Sequence, residues 1–124
     1  MGAAVSLTRF SDVKEINAYE TKGIKSTAPV YAATSALVAL SGFRVIYAYA
    51  QLTGAMTINL TTTNLLQGDV LEFWFEADAS QRIVTFGTGF LSSGTVTVTA
   101  AKGATVIGTF DGTNVRIHTR EIYA

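Results

Sequence analysis

The stretch Asp69-Val70-Leu71-Glu72-Phe73-Trp74-Phe75-Glu76-Ala77 decides the fold class. Leu71, Phe73 and Phe75 fall on alternate positions, with Glu72, Trp74 and Glu76 between them. A two-residue period puts the first three side chains on one face of a strand and the second three on the other. A helix would scatter both sets around its axis.

Seven further turn-bounded runs read as strands, at 30–40, 43–52, 55–62, 82–86, 95–101, 104–110 and 114–123. Turn signals separate them, among them Ser41-Gly42, Thr53-Gly54, Gln67-Gly68, Gly87-Thr88-Gly89, Lys102-Gly103 and Asp111-Gly112. Short strands at this spacing, with glycine in the gaps, predict tight hairpins and a sandwich or small barrel. The expectation is an all-β chain, an antiparallel β-sandwich of jelly-roll type with about eight strands. It occupies residues 28–124, and residues 1–27 form an N-terminal arm or short helix.

That arm holds much of the charge. Residues 1–25 carry seven of the eighteen Lys, Arg, Asp and Glu. Leu7, Phe10, Val13 and Ile16 stand close to helical spacing, and Asp12 with Glu15 could form a capping box. An extended arm laid along a neighbouring molecule fits the same residues. In either form those four apolar side chains are the expected docking points.

From residue 26 to residue 68, by contrast, the only charged side chain in 43 residues is Arg44. Strands that face water on one side normally carry charge there. Their absence predicts that both faces of two or three strands are covered, and in so short a chain the simplest cover is another copy. The strand at 43–52 is apolar on both sides. Phe43, Val45, Ile46, Tyr47, Tyr49 and Leu52 are therefore the expected subunit interface.

Composition closes several routes. Charged residues make up 15% and hydrophobic residues 48%, which excludes disorder. The net charge is zero and no basic stripe is present, so no nucleic-acid partner is expected. With no cysteine there is no disulfide or thiolate metal site. The apolar window at 29–51 is interrupted by Pro29, Thr34, Ser35, Ser41, Gly42 and Arg44, and reads as buried strands rather than a membrane span.

No catalytic constellation emerges. Glu72 and Glu76 share a face but lie about 13 Å apart along a strand, too far for a glycosidase pair. His118, the single histidine, alternates with Arg116 and Arg120. Those three form a basic face that could pair with Glu72, Glu76 or Asp78 across strands. Gly87-Thr88-Gly89 lacks the third glycine and following helix of a dinucleotide loop. Neither enzymatic activity nor a cofactor is expected. Trp74, flanked by Glu72 and Glu76, reads either as core or interface, or as a platform for a glycan or partner.

The strings Arg82-Ile83-Val84-Thr85-Phe86-Gly87-Thr88-Gly89-Phe90 and Gly108-Thr109-Phe110-Asp111-Gly112-Thr113 flank a threonine–valine strand. This combination, across residues 53–115, resembles small β-rich virion proteins of tailed bacteriophages: capsid decoration, head-fibre and tail-fibre modules. The resemblance implies a trimeric or otherwise symmetric β-sandwich fixed to the virion through the major capsid protein or another virion protein. It also leaves room for a host-surface glycan as partner. It carries over no catalytic residue.

Overall fold

The computed structural model describes residues 24–91 and 94–124. Among these, nine strands form two sheets packed face to face: β1 (Ile24–Thr27), β2 (Thr34–Val38), β3 (Arg44–Ala48), β4 (Met56–Thr61), β5 (Val70–Glu76), β6 (Arg82–Phe86), β7 (Gly94–Val98), β8 (Gly103–Phe110) and β9 (Val115–Ile122). One sheet has the order β1-β3-β5-β8-β9 and the other β2-β4-β6-β7. The chain is an all-β sandwich, and each of the eight runs read from sequence contains one strand. Among the described residues no helix is long and apolar enough to cross a membrane.

The pairing departs from expectation. From β1 to β6 the chain alternates between the sheets, so the neighbours β1/β3, β3/β5, β2/β4 and β4/β6 are parallel. Parallel neighbours need a crossover between them, and here the crossover is a strand of the facing sheet. Only β5/β8, β6/β7 and β8/β9 are antiparallel. The fold is thus a parallel two-layer coil closed by antiparallel strands, not an antiparallel jelly roll. Gaps such as Ser41-Gly42 and Thr53-Gly54 carry the chain from sheet to sheet; glycine serves an arch as well as a hairpin.

The expected boundary at residue 27 also moves. Ile24–Thr27 is not arm but strand, paired in register with Arg44, Val45, Ile46 and Tyr47. The candidate docking residues Leu7, Phe10, Val13 and Ile16 lie outside the described residues.

The inward rows make one core. Val45, Tyr47, Tyr49, Leu71, Phe73, Phe75, Ala104 and Val106 face Ile58, Leu60, Val84, Phe86, Val96 and Val98, all buried. Phe73 is its hub: its ring centroid lies 5.3 Å from Tyr47, 6.3 Å from Phe75, 6.1 Å from Phe86 and 6.0 Å from Phe90. The two tyrosine hydroxyls are satisfied inside this core. Tyr49 Oη shares a 2.8 Å hydrogen bond with Ser35 Oγ, and Tyr47 Oη accepts one from the Leu40 amide at 2.9 Å. Burial pushes both phenols above their usual range.

A single bulge changes the last strand. Ile107 pairs with Thr119 but Gly108 with Ile117, so His118 is the extra residue. Gly108 fits because a Cβ there would stand 2.7 Å from Val115 Cγ1 and 2.9 Å from the Arg116 carbonyl. Beyond a bulge the alternation changes face. Thr119 and Glu121 therefore join the outward row of Ile107 and Thr105, while Arg120 falls in register with buried Val106. Arg116 and Arg120 thus lie on opposite faces, and the expected single basic face does not form. The pairings proposed for it are replaced as well: Arg116 pairs with Asp111, Asp78 with Arg82 and Glu72 with Arg44.

Phe73→Ala should lower the unfolding free energy by about 3–5 kcal/mol in urea melts, as buried Phe truncations do. Asp111 accepts from the amides of Thr113 and Asn114 and from Arg116 Nε. The Asn114 amide contributes most to holding its carboxyl down to about 2. Because the folded-state pKa is depressed, this contribution is complete above the ordinary carboxylate value near ~3.9 and disappears as pH falls toward 2. The thermal midpoint of Asp111→Asn should therefore fall less steeply than wild type over that acid interval.

Candidate functional site

On the outer face of β5, Glu72 and Trp74 stand two residues apart and touch. Trp74 Nε1–H donates to Glu72 Oε2 at 2.5 Å, while Arg44 Nε from β3 lies 3.2 Å from Glu72 Oε1. Both carboxylate oxygens are engaged and Glu72 is only 7% exposed. Trp74 keeps 44% of its surface in solvent. A charge-assisted bond to the indole edge holds the ring's orientation. Trp74 is therefore an exposed aromatic plane fixed in place from beneath.

The cross-strand rows set its surroundings. Trp74 lies opposite Thr105 of β8, which lies opposite Glu121 of β9. Glu76 lies opposite Gly103, whose carbonyl accepts from the Tyr123 amide at 2.9 Å. Tyr123 Oη shares a 2.9 Å hydrogen bond with Thr105 Oγ1, and the residue is 46% exposed. A Cβ at Gly103 would stand 3.0 Å from the Phe75 carbonyl and 3.2 Å from the Tyr123 ring, so glycine lets that ring lie close to the sheet. Arg44, Glu72, Trp74, Thr105, Glu121 and Tyr123 line a groove of about 610 Å³. Small-ligand sites occupy roughly 300–1,000 Å³.

The outer face of the four-stranded sheet is different in kind. It presents Thr34, Ala36 and Val38 from β2, Thr57, Asn59 and Thr61 from β4, Ile83 and Thr85 from β6, and Thr95 and Thr97 from β7, none of them charged. Thr34, Thr57, Thr85 and Thr95 are register partners across all four strands, a continuous threonine row. Val38 and Ile83 expose about half of their surface on it.

These faces revise the sequence reading. Val45, Tyr47, Tyr49 and Leu52, expected at a subunit contact, are buried in the chain's own core. The facing sheet supplies the cover assigned to a second copy. Ile46 does point outward but is 9% exposed, set between Ser26 and Glu72. Phe43 precedes β3 and is 59% exposed. Of the other group, Glu72 and Trp74 act together, and exposed Glu76 lies on the same face.

Sequence reasoning missed Arg44, Thr105, Glu121 and Tyr123 as neighbours of Trp74. Strict alternation from Val115 puts Glu121 and Tyr123 inward; the bulge at His118 turns them out. His118 itself lies 3.2 Å from Thr109 Oγ1 and 3.0 Å from Thr119 Oγ1. Compared with known proteins, the chain matches no family model and no curated protein.

Trp74 is the single tryptophan of the chain, so its fluorescence reports on this site alone. Glu72→Ala should lower its steady-state anisotropy and raise its acrylamide quenching constant about twofold or more, since a mobile, exposed indole replaces a pinned one. Unchanged values would show that Glu72 does not hold the ring.

Proposed function

We propose that this protein is a non-enzymatic structural component of a bacteriophage virion, a decoration or fibre-type module that self-associates and docks on the particle. The observation that supports self-association best is the uncharged outer face of β2-β4-β6-β7. A solvated antiparallel or mixed sheet face is ordinarily polar; this one carries no charge at all across four strands, presenting threonine and Asn59 with alanine, valine and isoleucine between them. Neutral hydroxyl-bearing rows can approach a second copy without leaving a buried charge unpaired. The contact surface is thus reassigned from β3, whose inward residues are buried, to the opposite sheet.

The virion assignment rests on the resemblance of residues 53–115 to phage β-modules, which implies a trimeric or otherwise symmetric assembly; a closed trimer is the form proposed here. Closure matters because a face that paired without it would propagate into fibres. The major capsid protein or another virion protein is the docking partner in this reading, and cementing is the mechanism. Apolar area removed from water contributes about 25 cal/mol per Å² at each junction.

Light scattering should give the mass of a trimer for the wild-type chain at micromolar concentration. Thr85→Lys places a charge in the middle of the threonine row and should reduce the mass to that of a monomer, with the far-UV circular dichroism unchanged. A wild-type monomer, or a trimer indifferent to Thr85→Lys, contradicts the proposal.

A further inference from the structure

We propose that the Trp74–Tyr123 groove is a binding site for a neutral saccharide, a hexose or N-acetylhexosamine unit of a surface glycan. This site is on the sheet opposite the proposed contact between copies, and it stands whether or not the protein belongs to a virion.

Three features point to a sugar. The first is preorganisation. Glu72 fixes the indole before any ligand arrives, so the entropy of ordering an aromatic side chain is not lost on binding. Tyr123 is likewise held, through its hydroxyl to Thr105 and its amide to the Gly103 carbonyl. The second is amphipathy at the scale of one ring. A pyranose has a face of C–H bonds, which complements the negative face of an aromatic ring, and an equatorial rim of hydroxyls. The groove offers two exposed aromatic rings with hydroxyl, carboxylate and guanidinium groups of Thr105, Glu121 and Arg44 beside them.

The third is charge. Arg44 and Glu72 cancel each other. Glu121 and Glu76 are exposed, and among the described residues neither forms an ion pair. Of the charged lining residues that leaves Glu121, a carboxylate that accepts from hydroxyl donors and disfavours sialylated, sulfated or phosphorylated sugars. Ile107 and Ala104 add apolar lining beside the two rings, while Thr105, Glu121 and Arg44 supply the polar rim that a pyranose needs and a purely apolar protein contact would leave unmatched.

The groove depends on the bulge. Without the extra residue at His118, Glu121 and Tyr123 would face the core side, and Trp74 would stand alone. Bulges commonly re-aim side chains beside binding sites.

The test pairs a glycan array with tryptophan fluorescence. The wild-type protein should retain neutral glycans on the array, and titration with glucose, galactose and N-acetylglucosamine should change Trp74 emission saturably for at least one of them. Single sugars should bind in the millimolar range, about −4 kcal/mol at 1 mM. Trp74→Ala should abolish array binding, and Tyr123→Ala should weaken it about tenfold or more. Both should leave the light-scattering mass and the far-UV circular dichroism as in wild type. Thr85→Lys, which tests the contact between copies, should keep the fluorescence response. The proposal is overturned by an array with no neutral glycan retained, by binding that survives Trp74→Ala, or by preference for anionic glycans. It is equally overturned if Trp74→Ala changes the mass of the assembly, because the groove is then a contact between copies.

Discussion

Everything in this molecule depends on two sheets being held face to face by the aromatic layer around Phe73. That ring meets Tyr47 and Phe75 of its own sheet, Phe86 of the facing sheet and Phe90 just beyond it. Because β1 to β6 alternate between the sheets, each successive strand must present its inward row to a strand of the other layer. A shift of one residue in any strand would turn its whole apolar row to solvent. The dense inward packing is what fixes register in a chain with few charges to do so.

With the core fixed, the two outer faces are free to differ. One is neutral, built of short hydroxylated and aliphatic side chains in register. The other carries Arg44, Glu72, Glu76, Arg116 and Glu121, an exposed indole pinned by a buried carboxylate, and a groove beside it. A sandwich whose two outer surfaces differ so sharply in charge is suited to meeting two kinds of partner. In the proposed assembly the neutral face meets a second copy and the polar face stays open.

The strands were legible because period-two alternation survives any topology. In β5 the sequence separates Leu71, Phe73 and Phe75 from Glu72, Trp74 and Glu76, and the structure keeps that separation. The path between strands was not legible, since a glycine-containing arch and a glycine-containing hairpin use the same residues. The charge-poor stretch 26–68 misled for a related reason. Absence of charge on Val45, Tyr47 and Tyr49 reflects cover by the chain's own second layer, whereas on Thr57 and Asn59 it marks a neutral outer surface. The site itself was half legible. Glu72 and Trp74 are adjacent on one strand, but Tyr123 and Glu121 reach them only because one residue bulges at His118, and no local composition announces a bulge.

The most direct test of the division between the two faces is a cryo-electron microscopy reconstruction of the assembled protein at side-chain resolution. The row Thr34, Thr57, Thr85 and Thr95 should lie against a neighbouring copy, with Trp74 and Tyr123 open to solvent. A reconstruction with the Trp74 groove buried between copies and the threonine row in solvent would contradict it.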